Sequence, residues 1–273
     1  MNRLFVAYKP INRSSNYFLT ALKIKYNVKK AGFSGTLDPF ACGVLIVAFG
    51  QFSKLFRFLK KAPKSYRATL WLGAHSSSLD IERVSQIDKV KEFSIEKIEE
   101  VLNSLKGELT YLPPKFSAKN IDGRRAYELA RESVEFELKS VTSQITNIKF
   151  INYCHPFLTF EITISEGGYI RSMGEIIAKR LGVTGALSSL ERLHEGEFIY
   201  EDEKPLSPIK YLNVDENFYT KDKEDILLGR KLKAEDFKNK NEGEYFVLYD
   251  KILTIIEIKD DRAHYLLNGV KLC

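Results

Sequence analysis

The feature that most constrains the fold is an unbroken apolar run at residues 44–49, enclosed by Gly43 and Gly50. A run of this kind without a polar position is typical of a buried strand. Residues 4–8 form a shorter apolar run. Residues 66–72 alternate, with Tyr66 and Leu70 on one face and Arg67 on the other. We therefore expect a sheet that contains at least one buried strand.

Helical and strand-like segments follow one another irregularly, without the repeating strand–helix order of a doubly wound sheet. Strands are predicted at residues 4–8, 44–49, 66–72, 116–119, 136–151 and 157–165. Helices are predicted at residues 16–25, 51–61, 94–105, 124–131 and 170–181. In the third helix Ser94 is the expected cap, and Ile95, Ile98, Val101 and Leu102 share the apolar face. This order predicts an α+β fold.

A domain boundary is expected near residue 212. Pro205 and Pro208 interrupt the chain, and residues 213–224 are polar and acidic. Beyond them, short strand-like segments at 245–248, 252–258 and 263–267 indicate a small β-rich module. We therefore divide the chain into a domain at 1–212 and a module at 213–273.

Charge is distributed unevenly along the chain. The first 79 residues contain thirteen Lys and Arg but a single acidic residue, Asp38. Positive surroundings favour the charged form of a carboxyl group, and a cationic surface attracts a polyanion. These features indicate an acidic catalytic group that acts on nucleic acid. The residues alone also allow a solvated basic face, with Asp38 as a turn former beside Pro39.

Cysteine and histidine usage argues against a metal site. Cys42, Cys154 and Cys273 form no CxxC pair, and the four histidines show no metal-ligand spacing. An odd number of distant cysteines is typical of a reducing cytosol. No segment has the length of a signal-peptide core or of a membrane span. We expect a cytoplasmic protein that needs no metal and contacts no membrane.

The segment Gly32-Phe33-Ser34-Gly35-Thr36-Leu37-Asp38-Pro39 resembles the catalytic motif of the tRNA pseudouridine synthase B family. The resemblance covers about residues 3–211 and, more faintly, the C-terminal module. It implies a pseudouridine synthase fold, in which helices flank a mixed, mainly antiparallel central sheet. It also implies that residues 213–273 form a shortened PUA-like RNA-binding module. Other segments agree with the family in order and spacing: Lys9-Pro10, Ser14-Ser15-Asn16, Lys64-Ser65-Tyr66, Pro113-Pro114-Lys115-Phe116-Ser117-Ala118, Ser165-Glu166-Gly167-Gly168-Tyr169-Ile170-Arg171 and Leu187-Ser188-Ser189-Leu190-Glu191-Arg192.

The resemblance implies isomerisation of a uridine to pseudouridine in the T-loop of tRNA, at position 55. Asp38 is then the nucleophile, which attacks the flipped-out nucleotide either on the base or on the ribose anomeric carbon. A carboxylate suits this role because it must also be a good leaving group. The glycosidic bond breaks, the uracil turns, and a carbon–carbon bond forms through C5. The reaction requires no cofactor.

Roles for the other site residues follow from the same resemblance. Arg171 is expected to pair with Asp38 and keep it ionised, and Tyr66 to stack on the uracil and help remove the C5 proton. Tyr169 and Leu190 are expected to wall the pocket. Phe33 replaces the histidine that is usual in the family and keeps only its stacking role. Read from the residues alone, Tyr66 and Leu190 also fit core positions, and Arg171 also fits a surface position at a helix start.

The expected partner is the T-arm of tRNA, bound by a monomer. Two other functions stay open: a protein that binds or folds structured RNA, in which Asp38 has no role, and a nucleoside hydrolase. A hydrolase would need a second carboxylate, which the first 79 residues do not contain. Candidate phosphate contacts are Lys9, Lys29, Lys30, Lys54, Arg57, Lys60, Lys61 and Lys64.

Overall fold

The computed structural model describes residues 1–272, and Cys273 lies outside them. Within the described residues the α-helices are α1 (Ser15–Lys25), α2 (Ile95–Asn103), α3 (Ala126–Arg131), α4 (Ile170–Arg180) and α5 (Glu224–Leu227). Short 3-10 helices span Gly50–Phe58, Ile81–Arg83, Pro208–Tyr211 and Ala234–Asp236.

The strands of this part of the chain are β1 (Arg3–Lys9), β2 (Ala31–Ser34), β3 (Cys42–Phe49), β4 (Lys64–Leu72), β5 (Ala74–Ser76), β6 (Val84–Ile87), β7 (Gly107–Tyr111), β8 (Asn120–Ile121), β9 (Arg124–Arg125), β10 (Val141–Cys154), β11 (Phe157–Ile164), β12 (Gly185–Glu195), β13 (Asp215–Glu216), β14 (Leu232–Lys233), β15 (Gly243–Tyr249), β16 (Ile252–Lys259) and β17 (Arg262–Lys271).

The larger sheet is mixed and mainly antiparallel. Its strand order is β1-β3-β12-β4-β11-β10-β7, and β2 also pairs with β3. Among the described strands of this sheet, β12 and β3 are the parallel pair, aligned at Arg192 and Gly43, and the other pairs are antiparallel. Helices lie against the sheet together with the strands of a smaller C-terminal sheet. The predicted α+β fold is therefore confirmed.

Strand β3 is buried throughout residues 44–49, as its apolar run predicts. Val44, Ile46 and Ala48 face a core that they share with the 3-10 helix Gly50–Phe58 and the C-terminal sheet. Leu45 and Val47 face the opposite side, where β1 and α1 contribute apolar side chains. The strand has no polar position because neither of its faces reaches water.

Strand β4 separates a core face from an outer face. Tyr66, Ala68, Leu70 and Leu72 are buried in a core that also contains side chains of α2 and α4. Arg67, on the outer face, is exposed. The alternation of this strand is confirmed, and Tyr66 points to the same side as the helices.

Three local expectations are wrong. Residues 116–118 form bends and residue 119 has no regular structure, so the expected strand is absent there, and the hairpin β8–β9 follows. The basic segment after β3 is a 3-10 helix that ends at Phe58, so Lys60 and Lys61 lie beyond it. In α2, Ser94 caps the helix as expected, but Ile95 is 49% exposed. The apolar face of that helix begins at Ile98, because the first turn extends past the edge of the core.

The C-terminal sheet has the order β13-β15-β16-β17-β14. Its residues Phe246, Leu253, Ile255 and Val270 pack in the same core as Val44 of the larger sheet. The two sheets thus bury one another, and the division at residues 212 and 213 stays a prediction. Across residues 1–272, no helix has both the length and the apolarity that a membrane crossing requires.

Candidate active site

Two adjoining cavities open around the loop between β2 and β3. The first has a volume of about 300 Å³, and its lining includes Asp38, Tyr66, Tyr169, Leu190 and Arg171. The second has a volume of about 340 Å³, shares Asp38 and Arg171 with the first, and is also lined by Phe33. Segments distant in sequence thus bring the expected site residues together, with the exception of Lys9.

The loop that carries Asp38 is held by backbone and side-chain bonds. Gly35 adopts a φ of +67°, a conformation that favours glycine. The hydroxyl of buried Ser15, in α1, donates to the carbonyl oxygen of Leu37 at 3.0 Å, and the Leu37 N–H donates back to that hydroxyl at 3.0 Å. The Ala41 N–H donates to the carbonyl oxygen of Asp38 at 3.1 Å. The carboxylate is thus carried by an ordered turn.

Asp38 is paired with Arg171, whose Nε lies 2.9 Å from Oδ2. The Asp38 side chain keeps 34% of its exposure, so it can be reached from the cavity. Burial nevertheless raises the pKa of this carboxyl above its ordinary value, and nearby Asp80 raises it further, while Arg171 and Lys9 act in the opposite direction. Burial and Asp80 thus act against the cationic surroundings, which favour the charged form of this carboxyl.

Arg171 lies in the first turn of α4, and its side chain is 5% exposed. Its Nη1 donates to the carbonyl of Ser78 at 2.8 Å, and its Nη2 donates to the carbonyl of Phe116 at 2.7 Å. Nη1 also lies 3.3 Å from Oδ2 of Asp80. Arg171 is therefore not a surface residue. The whole guanidinium fork is engaged, and its orientation toward Asp38 is fixed from three sides.

Asp80 is a site residue that the sequence analysis missed. It is 2% exposed, and its Oδ1 accepts from the Ser78 hydroxyl at 2.6 Å and from the Glu82 N–H at 3.0 Å. The available signal was its position directly after the cationic segment, where it is the second acidic residue of the chain. Asp38 and Asp80 share one guanidinium, so the site contains two carboxylates and not one.

Tyr66 and Leu190, which wall the first cavity, are also part of the hydrophobic core. Tyr66 is 7% exposed and Leu190 is 6% exposed, and both lie in the core beneath the larger sheet. Tyr169 precedes α4, and its N–H donates to the Tyr111 hydroxyl at 3.0 Å. Burial raises the pKa of the Tyr169 phenol. Phe33 is half-buried in β2 and lines the adjoining cavity together with Asp38.

Lys9 lies outside both cavities. It is fully buried, and its ammonium donates to the carbonyls of Pro10 at 2.9 Å, Arg13 at 2.6 Å and Pro39 at 3.4 Å. Burial lowers its pKa to about 8. The expected contact between Lys9 and a phosphate is therefore corrected, because its ammonium is committed to backbone carbonyls. Of the other candidates, the exposed ones are Lys29, Lys30, Lys54, Arg57 and Lys60.

Metal binding has no support in the described residues. Within residues 1–272 there is no group of three or more His, Cys, Asp and Glu side chains that could hold a metal ion.

Two solved structures share this fold over nearly the whole chain. The structure of an H/ACA ribonucleoprotein bound to a substrate RNA containing 2′-deoxyuridine matches with a TM-score of 0.65 and 17% identity, over 99% of this chain and 84% of that chain. The archaeal box H/ACA Nop10–Cbf5 complex matches with a TM-score of 0.65 and 17% identity, over 99% of this chain and 85% of that chain. These likenesses show the fold of the chain.

Sequence comparison shows the family to which the chain belongs. The family model for the TruB family pseudouridylate synthase, N-terminal domain, matches residues 23–170, more than half of the chain. The chain belongs to this family. Among similar proteins, "tRNA pseudouridine synthase B" of Sulfurovum sp. (strain NBC37-1) is 56% identical over 99% of this chain and 98% of its own. The protein of the same name from Campylobacter concisus (strain 13826) is 52% identical over the full length of both.

Proposed function

We propose that this enzyme converts uridine to pseudouridine in tRNA, at position 55 of the T-loop, with Asp38 as its nucleophile. The observation that carries the proposal is the Asp38 carboxylate, reachable from a cavity and held 2.9 Å from the buried Arg171. The cavity of about 300 Å³ matches the lower end of small-ligand pockets and suits one nucleobase. Tyr66, Tyr169 and Leu190 supply the apolar surfaces between which a pyrimidine would lie.

The proposed reaction begins when the target nucleotide leaves its stack and enters the first cavity. Extrusion costs a few kcal/mol. Stacking on an aromatic ring returns about 1–3 kcal/mol per base, and Tyr66 offers such a ring. Phe33 lines the adjoining cavity, where it can stack against the neighbouring part of the RNA.

Arg171 engages Oδ2 of Asp38, so the proposal assigns the attack to Oδ1. The carboxylate forms a bond either to the base or to the ribose anomeric carbon, and the glycosidic bond to N1 breaks. The uracil then turns so that C5 faces the anomeric carbon and bonds to it, while the carboxylate leaves. C5 loses its proton with the assistance of Tyr66, and N1 of the uracil gains a proton in exchange. The atoms of substrate and product are the same, which is why the reaction requires no second substrate.

The two other functions fit the geometry less well. An RNA-binding or RNA-folding protein gains nothing from a carboxylate and a buried guanidinium at a cavity, since the pair must be desolvated at a cost. A nucleoside hydrolase would use a second carboxylate to activate water. Asp80 is that second carboxylate by position, but its oxygens contact Ser78, the Glu82 N–H and Arg171. Its side chain is 3% exposed, so it cannot hold an attacking water as a base must.

The proposal includes recognition of the tRNA T-arm by a monomer in the cytoplasm. Exposed cations of the first 79 residues, including Lys29, Lys54 and Lys60, support contacts with the RNA backbone. The C-terminal sheet is proposed as the shortened PUA-like RNA-binding module. The free cysteines Cys42 and Cys154 support a reducing compartment.

The test is the Asp38→Ala variant on a tRNA transcript, analysed by nucleoside mass spectrometry. We expect conversion to be abolished while tRNA affinity stays within about threefold, because Asp38 faces the reacting nucleotide and not the phosphates. Asp88→Ala, which removes an exposed carboxylate paired with His75, is the matched control and should convert normally. A pseudouridine peak from Asp38→Ala would refute the role of Asp38. A transcript with cytidine at position 55 tests the target, and product from it would refute the assigned position.

A further inference from the structure

Three charged side chains form a buried cluster behind the loop that carries Asp38. Glu195 is fully buried; the Arg192 side chain is 1% exposed and that of Lys64 is 10% exposed. Oε1 of Glu195 lies 2.9 Å from Nη2 of Arg192, and Oε2 lies 3.0 Å from Nζ of Lys64. One carboxylate thus neutralises one of two buried cations and contacts both.

A bulge in β12 brings these side chains to one face. On a regular strand, residues three apart point to opposite sides of the sheet. Between β12 and β4, Arg192 pairs with Tyr66 and Glu195 pairs with Lys64, with a register shift after Arg192. The extra residue of the bulge changes the alternation, so Arg192 and Glu195 both lie on the cavity side, with Lys64 and Tyr66.

The cluster contacts the loop at Gly35, three residues before Asp38. Nη2 of Arg192 donates to the Gly35 carbonyl at 2.9 Å, and its Nε donates to the Val44 carbonyl at 2.8 Å. A Cβ atom on Gly35 would lie 3.0 Å from Nζ of Lys64 and 3.2 Å from Oε2 of Glu195. Arg192 therefore connects the loop to the first strand after it, and the three side chains fill the space behind Gly35.

We propose that Glu195 is a positioning residue of the active site, which acts through Arg192 and Lys64 on the loop that carries Asp38. Its carboxylate holds Arg192 against the Gly35 carbonyl and holds Lys64 in place beside Gly35. Without Glu195, two buried cations lie beside each other with no counter-charge, and their repulsion displaces the loop. The inference rests on the proposed function, because the quantity that it affects is the placement of the nucleophile.

The test compares Glu195→Gln with the wild-type enzyme in single-turnover conversion of a tRNA transcript, at a temperature where both are folded. A shift of the nucleophile by about 1 Å costs up to about a hundredfold in rate, so we expect a loss of about tenfold to a hundredfold. Affinity for the transcript should stay within about twofold, because Glu195 is buried and touches no RNA. A purely structural role would lower the melting temperature and leave the single-turnover rate of the folded enzyme unchanged, and that result would overturn the proposal.

The double variant Lys64→Met and Glu195→Gln supplies the rescue. It removes one of the two uncompensated cations and with it their mutual repulsion, so we expect it to convert faster than Glu195→Gln, and to fold even if the single variant does not. A folded double variant that is slower than Glu195→Gln, or inactive, would overturn the proposal by showing that Lys64 acts directly on the substrate. Glu203→Gln, which removes another largely buried carboxylate, paired with Lys25 at 2.7 Å, is the matched control and should convert at the wild-type rate. Failure of the wild-type enzyme to convert the transcript would refute the proposed function instead.

Discussion

Replacement of Arg171 by leucine tests the site and the fold together. The substitution removes the guanidinium, whose N–H groups contact the carbonyls of Ser78 and Phe116 and the carboxylates of Asp38 and Asp80. Asp80 bears the largest effect, because its side chain is 3% exposed and would keep a buried charge without this partner. Removal of one member of a buried ion pair costs about 3–5 kcal/mol.

The contribution of Asp38 to this loss is smaller. Its side chain is 34% exposed, so water replaces much of the guanidinium contact. We therefore expect the free energy of unfolding of Arg171→Leu to fall by about 3–5 kcal/mol in total. For a chain of this size, each kcal/mol lowers the melting temperature by about 2–4 °C, which gives a decrease of about 6–20 °C.

Differential scanning calorimetry measures the stability change, and nucleoside analysis measures conversion below the melting temperature. Conversion should fall strongly, because the Arg171 guanidinium fixes Oδ2 of Asp38. Arg171→Lys keeps the charge, but an ammonium cannot reproduce the contacts of the planar guanidinium with Asp38, Ser78 and Phe116. It should therefore recover little of the lost stability or of the lost conversion. Arg180→Leu, at the exposed end of the same helix, should change stability by no more than about 0.5 kcal/mol. A melting temperature and a turnover of Arg171→Leu that both equal the wild-type values would refute the reasoning.

Two further outcomes follow from the buried titratable groups. Because burial raises the pKa of Asp38, the single-turnover rate should fall with decreasing pH from above the ordinary aspartate value of 3.8, as the carboxyl gains a proton and ceases to be a nucleophile. A rate profile whose acidic midpoint lies at or below that value would contradict the raised pKa of Asp38. Lys9→Met should destabilise the fold by about 1–3 kcal/mol at neutral pH, because carbonyl oxygens lose their donor, with tRNA affinity unchanged. In the wild type the pKa of Lys9 falls from 10.5 to about 8 on folding. Between these two pH values the unfolded chain binds more protons than the folded chain, so the contribution of Lys9 to stability rises with pH over that range. A loss of tRNA affinity in Lys9→Met would instead restore its predicted role as a phosphate contact.

Local hydrophobic patterns in the sequence predict most of the helices and strands correctly. The apolar run at residues 44–49 and the alternation of β4 predict strands correctly, since each pattern follows directly from which faces meet water. One of the failures is the strand expected at residues 116–119. Residues 116–119 look like a strand, yet their backbone groups are used by other segments, as in the Phe116 carbonyl that accepts from Arg171.

Some site residues are indicated by the sequence, and others are brought to the site only by tertiary contacts. Asp38 stands out in the sequence because it is the single acidic residue in a cationic segment, and its motif carries the family resemblance. Asp80 offers only its place directly after the cationic segment, and Glu195 offers no comparable signal. Each becomes part of the site through a partner that is distant in sequence. Asp80 contacts Arg171, which lies 91 residues away, and Glu195 contacts Lys64 on a neighbouring strand.

The amino-acid order by itself therefore determines the α+β class, the buried strand behind the active-site loop, and the family to which the motif around Asp38 points. Tertiary structure decides which charged groups act on that loop. It buries Lys9, which sequence places among the phosphate contacts, and it brings Asp80 and Glu195 to positions that sequence does not indicate. The physical reason is that charge density can be read along a chain, whereas desolvation and ion pairing depend on which distant segments exclude water from one another.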